Sequence, residues 1–123
     1  MQINLDQTIN SGQVFLWKKL DKTWYGVDGQ NVFAASQIRI DSLKDDLDFF
    51  RNGDDLEKIF KNMSKDKTIK DAVKKFPGLR LLRQDPFQCY ISFIVSSNSS
   101  IQNIRSSLYH ICEKFGKKTT FRG

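Results

Sequence analysis

Histidine and cysteine are scarce in these 123 residues: one of the first, His110, and two of the second, Cys89 and Cys112. A lone histidine and two cysteines without metal-ligand spacing exclude a zinc site, and no metal or other cofactor is expected. Both cysteines fall on apolar helical faces and read as packing residues of a reducing compartment. Nowhere do apolar residues run to 18, and the opening MQINLDQTIN has no basic stretch followed by an apolar core. Neither a membrane span nor a secretory signal is therefore expected, and the chain reads as intracellular (cytoplasm, nucleoid or nucleus), not secreted and with no membrane partner. Repeats, low-complexity tracts and long linkers are also missing. That leaves one compact domain, or one domain and the start of another.

What is present is a globular composition, 39% hydrophobic and 12% aromatic. The net charge of +6 is unevenly spread. Residues 1 to 60 carry 7 basic against 10 acidic side chains, and residues 61 to 123 carry 13 against 4. A basic half of this kind suits a phosphate backbone, although an acidic protein, an anionic membrane or a merely solvated face fits the charge equally well.

The first forty residues read as antiparallel strands. Val14 to Trp17 begin a run that ends at Asp21-Lys22, Thr23 to Val27 form a second strand, and Asp28-Gly29 signals a hairpin before Val32 to Ala35 and Ile38 to Ile40. Phe15, Trp17, Trp24 and Tyr25 are assigned to the sheet core rather than to a base-stacking platform. Helices follow. Leu43, Leu47 and Phe50 share a face that Asn52-Gly53 terminates; Asp54 and Glu57 have capping spacing ahead of Leu56, Ile59, Phe60 and Met63; Ile69, Ala72, Val73 and Phe76 mark another helix. The expected fold class is α+β, a twisted antiparallel sheet with packed helices.

Residues 76 to 101, FPGLRLLRQDPFQCYISFIVSSNSSI, are the most informative run. Pro77-Gly78 stops what precedes, Asp85-Pro86 starts a helix, and Phe87 to Val95 are so apolar that the helix is expected to be nearly all interior. It gives way to Ser96 to Ser100, small polar residues able to cap a second helix or to meet a partner. That second helix is expected from about Ser100 to Phe115, capped by Ser99 with Gln102 and stopped by Gly116, with Ile101, Ile104, Leu108, Ile111, Cys112 and Phe115 on one stripe. Two such apolar helices near the chain end imply a missing layer. Either the chain is a fragment, or these helices drive dimerisation or aggregation.

SGQVFLW at Ser11 to Trp17, TWYGV at Thr23 to Val27, the 76–101 run and KFG at Lys114 to Gly116 together resemble the N-terminal part of the 8-oxoguanine DNA glycosylase/AP lyase family. The resemblance implies a sheet domain like the TATA-binding-protein fold at 1–80, then the first two helices of a truncated helix-hairpin-helix glycosylase domain at 81–123. It implies a whole protein that flips 8-oxoguanine out of duplex DNA and cleaves the strand through a lysine Schiff base. In the family the lysine and its aspartate lie farther along than this chain reaches. No catalytic residue is assigned here; Lys114, Lys117 and Lys118 are surface lysines, and this chain alone is expected to be inactive and to bind lesion-containing duplex DNA weakly.

The resemblance carries two positions over. Gly12 matches the glycine whose carbonyl accepts a hydrogen bond from N7–H of 8-oxoguanine, a proton that guanine lacks; read alone, Ser11-Gly12 is a turn before a strand. Asn98 matches the asparagine that fills the vacated space and hydrogen-bonds the orphaned cytosine; read alone, it is a helix cap. Ser97 and Ser99 would hold this tip, and with Asn103 and Arg105 are assigned as DNA contacts. This chain departs from the pattern at Ser99 and Ser100, where many members have asparagines, and at Asn103, which aligns with an arginine used to read cytosine. Arg80 and Arg83 are read as a structural collar in preference to phosphate contacts. A related helix-hairpin-helix alkylpurine glycosylase and a non-catalytic DNA- or protein-binding module stand as alternatives.

Overall fold

Three antiparallel strands follow a short helix in the computed structural model, which describes residues 3–37 and 48–120. The helix, α1 (Leu5–Ile9), starts at Asn4, whose side-chain oxygen accepts from the Gln7 N–H at 3.0 Å. Strands β1 (Trp17–Leu20), β2 (Thr23–Asp28) and β3 (Asn31–Ser36) form a sheet in chain order. Two-residue turns join them, and each opens on a left-handed residue, Asp21 at φ 53° and Gly29 at φ 59°. The sheet is held together on one side by aromatic stacking. Trp17 lies parallel to Phe33 and Phe49, with centroids 5.8 and 5.6 Å away, and meets the edge of Phe50. Phe49 and Phe50 arrive on a 3₁₀ turn, Asp48–Phe50, and Ile3, Leu5, Ile9, Val14, Trp24, Ala35 and Leu82 complete this core.

The first strand begins later than expected. Val14 and Phe15 part company, Val14 into the sheet core and Phe15 into a second cluster with Ile104 and Leu108, so the ladder starts only at Trp17. Phe15 is therefore not a sheet-core residue, and Tyr25 is 37% exposed on the opposite face. The expected strand at 38–40 and the helical face of Leu43 and Leu47 lie outside the described residues.

Helices α2 (Leu56–Met63) and α3 (Lys67–Lys75) form a hairpin. The cap of α2 is Asp55, which accepts from Lys58 N–H, and not Asp54, which instead pairs with Arg51 at 2.7 Å. Of the apolar residues expected inside, only Leu56 is buried; Ile59, Met63, Ile69 and Phe76 are exposed, and α3 buries nothing. The periodicity located the helices correctly but had no means of supplying a surface for them to cover.

Helix α4 (Pro86–Ser96) has the expected start, with the Asp85 carboxylate accepting from Gln88 N–H at 2.8 Å and proline at the first position. It is not interior. Phe87, Tyr90, Phe93 and Ile94 are 73, 63, 71 and 51% exposed, because the apolar contacts of α4 run through Ile91 and Val95 to the cluster of Phe15, Leu16 and α5 (Ile101–Phe115). The cap of α5 is Ser100 bonding Asn103 N–H, one residue beyond the expected pair, and Gly116 ends the helix as expected. Cys89 and Cys112 are exposed free thiols rather than packing residues.

Candidate functional site

The loop between α1 and β1 carries Gly12, and three side chains fix it. Ser11 Oγ donates to Thr8 O at 2.7 Å. Gln13 Nε2 donates to Ser11 Oγ at 2.9 Å and to Arg80 O at 2.8 Å, and its Oε1 accepts from Leu82 N–H at 2.9 Å. One amide thus fastens the loop to the link ahead of α4. Gly12 itself has φ 87°, a conformation L residues rarely adopt, yet a Cβ there would meet nothing within 4 Å. Glycine is demanded by the backbone angle and leaves open space in front of it.

That link is a collar, as expected. Asn4 N–H donates to Gly78 O at 2.8 Å, Arg80 N–H to Thr8 Oγ1 at 3.2 Å, and the buried Arg80 guanidinium to Arg51 O at 3.0 Å. Burial lowers the Arg80 pKa, with the Asp54 carboxylate opposing. Arg83 donates its N–H to Phe49 O, and its guanidinium pairs with Asp48 at 2.6 Å.

Beyond the loop, α4 and α5 meet at a turn. A cavity of about 310 Å³ opens between them and the loop, with Gly12 and Phe15 on one wall, Ser92, Phe93 and Ser96 on another, and Ile101 and Ile104 on the third. Asn98 stands in the turn between Ser96 and Ile101, exposed and left-handed at φ 51°, a region asparagine tolerates better than most residues. Its amide caps neither helix, and among the described residues its side chain has no hydrogen-bond partner. The expectation that Asn98 caps is corrected; Ser97 is the C-cap of α4, its backbone N–H donating to Ile94 O at 3.3 Å. Ser96 Oγ donates to Phe93 O at 2.7 Å and Ser100 Oγ accepts from Asn103 N–H at 3.2 Å, so the flanking serines hold the turn and leave Ser97, Asn98 and Ser99 to solvent. Asn103 is exposed on the first turn of α5; Arg105, also on α5, is half-buried, and its Nε lacks a partner among the described residues.

Sequence reasoning missed Gln13, whose only signal was a long amide between two apolar segments, and missed Ser100 by one position. It also missed a second clasp at the far end of α4. Asp28 accepts from Asp85 N–H, and the Gln88 amide donates to Val27 O and accepts from Gly29 N–H, each at 2.8 Å. Burial raises the Asp28 pKa; the Asp85 N–H hydrogen bond opposes that, and the Asp85 charge adds to it. Among the described residues no cluster of histidine, cysteine or carboxylate could hold a metal ion, and no helix is long and apolar enough to cross a membrane.

Residues 41–90 match the family described as 8-oxoguanine DNA glycosylase, N-terminal domain. Two solved structures, the Clostridium acetobutylicum 8-oxoguanine glycosylase/lyase in its apo form and MBOgg1 in complex with a low-affinity DNA ligand, superpose with TM-scores of 0.82 and 0.83 at 28 and 29% identity. Each match covers 98% of this chain. In sequence and in fold the chain is similar to the N-terminal part of the 8-oxoguanine DNA glycosylase/AP lyase family. The N-glycosylase/DNA lyase OGG1 of Arabidopsis thaliana is 29% identical over 120 residues, 84% of this chain and 33% of its own length; the Saccharomyces cerevisiae N-glycosylase/DNA lyase is 29% identical over 143 residues, 97% and 38%. Against the glycosylase structures the chain spans 46% of each. The sheet packed with helices, followed by a helical region, is the TATA-binding-protein-like arrangement of this family.

Proposed function

We propose that this chain is the lesion-sensing portion of a protein that excises 8-oxoguanine from duplex DNA and cleaves the resulting abasic strand, within the cell that holds the DNA. The observation that carries the reading is the single cavity walled by Gly12 on one side and by the residues flanking Asn98 on the other. The Gly12 carbonyl would accept the N7–H of the oxidised base, and a normal guanine, with an acceptor at N7, would set lone pair against lone pair. The Asn98 amide, without a hydrogen-bond partner among the described residues and offering both donor and acceptor, would read the orphaned cytosine. Ser97, Ser99, Asn103 and Arg105 would supply the adjoining DNA contacts. One solved relative is a Clostridium acetobutylicum complex with DNA containing cytosine opposite 8-oxoguanine, which agrees with this partner.

The nucleophilic lysine and its aspartate would belong to the further half of chain that relatives carry. That half would also cover the exposed face of α4, so that dimerisation need not be invoked for it. On this view residues 1–80 are the sheet domain and 81–123 open the helical one. The two separate core clusters favour the division, with Phe15 and Leu82 as the residues exchanged across it.

The test extends the chain to relative length and traps the adduct with borohydride on 8-oxoguanine·cytosine duplex. A covalent adduct is expected; none, with lysine and aspartate in place, rejects the lyase reading. Asn98→Ala should weaken binding to that duplex by about 1–3 kcal/mol. Gly12→Ala should reduce preference for 8-oxoguanine over guanine, and an unchanged preference would remove Gly12 from the pocket.

A further inference from the structure

Seven lysines lie between residues 58 and 75, and none of them takes part in an ion pair among the described residues. Three of the five carboxylates in the same hairpin are already engaged: Asp55 and Asp66 cap α2 and α3, and Asp54 pairs with Arg51. On α3, Lys67, Lys70 and Lys74 fall three and four residues apart and so form one stripe, with Asp71 at its edge. The helix buries nothing, which leaves the stripe's position unexplained by packing.

Its C-terminal end sits beside the candidate site. A surface cavity is lined by Phe76, the residue that caps α3, and by Asn10 and Ser11, the residues just before Gly12. A duplex whose lesion entered the Gly12 cavity would therefore have backbone close to the end of α3. From Lys67 to Lys74 the rise of about 1.5 Å per residue gives a stripe of roughly 10 Å, the span of about three phosphates along one strand.

We propose that the lysine stripe of α3 is a phosphate-backbone track for the duplex flanking the Gly12 cavity. The placement beside that cavity rests on the proposed function; the capacity to bind duplex backbone does not. Charge complementarity selects the occupant: ammonium groups three and four residues apart, without ion pairs among the described residues, meet phosphates without needing a particular base.

The test measures affinity of the 123-residue chain for undamaged duplex against salt concentration. Lys70→Gln/Lys74→Gln should lower the log–log slope by about 2, since each lost phosphate contact removes ~0.9. Lys18→Gln/Lys22→Gln, an equal change of net charge on the first hairpin, should leave the slope nearly unchanged. Equal slopes in both variants, or no change in either, overturn the track. So does a loss of binding to phosphatidylserine vesicles in the α3 variant with duplex affinity intact. Preference for 8-oxoguanine, measured separately in the extended protein, should be the same with and without the α3 changes. A wild type without that preference rejects the proposed function and leaves the slope result standing.

Discussion

Trp17 occupies its place because Gly26, directly across the ladder, has no side chain. A Cβ on Gly26 would overlap the indole ring, which is itself fixed between Phe33 and Phe49. An aromatic ring covering a strand glycine is a recurrent device for keeping such a position stable. Gly26→Ala must displace the tryptophan from its stack, and a destabilisation of about 1–3 kcal/mol is expected in chemical denaturation. An unaltered midpoint would mean that the stack tolerates displacement. The pairing was only half legible in the sequence. Trp17 and TWYGV both signalled strand, but which residue faced which depended on the turn at Asp21-Lys22, and a slip of one would have brought Trp17 opposite Tyr25 or Val27 instead.

Among the elements, α4 was the most legible in position and the least legible in environment. Asp85-Pro86 and the serine run fixed its ends because capping is local chemistry, written in adjacent residues. Burial is not local. The apolar count of Phe87 to Val95 describes what the helix can cover, while the exposure of Phe87 and Phe93 depends on elements elsewhere. The clasp between the β2–β3 turn and the start of α4 was illegible for the same reason, since Asp28 and Asp85 meet only in the fold. Its pH behaviour follows from Asp28. Burial holds its folded pKa above 3.8, so the folded state takes up the proton first and the charge costs stability as pH rises through that window. Asp28→Asn, which keeps an acceptor for the Asp85 N–H, should remove this term. Relative to the variant, wild type should gain melting temperature as pH is lowered from 7 through the acid range just above 3.8. A constant difference across that range would show that Asp28 titrates alike in both states.

At the scale of the whole molecule, the apolar surface of α4 is large for a protein alone in water. Phe87, Tyr90 and Ile94 support no core among the described residues, so Phe87→Gln/Tyr90→Gln/Ile94→Gln should leave the melting temperature nearly unchanged while raising the concentration at which the chain stays monomeric in sedimentation. In a relative-length protein the same triple change should lower stability by several kcal/mol, because there the three side chains would be enclosed. Equal effects in the two lengths would leave that face without an occupant.

The amide of Gln13 touches Ser11 beside Gly12 and also the backbone at Arg80 and Leu82, just ahead of α4. A calliper measures only when both jaws ride on one beam, and this side chain is part of the beam. The gap between the Gly12 loop and the helical turn is therefore set by the protein before anything enters it, so whatever fits must arrive at the right width instead of moulding the opening to itself.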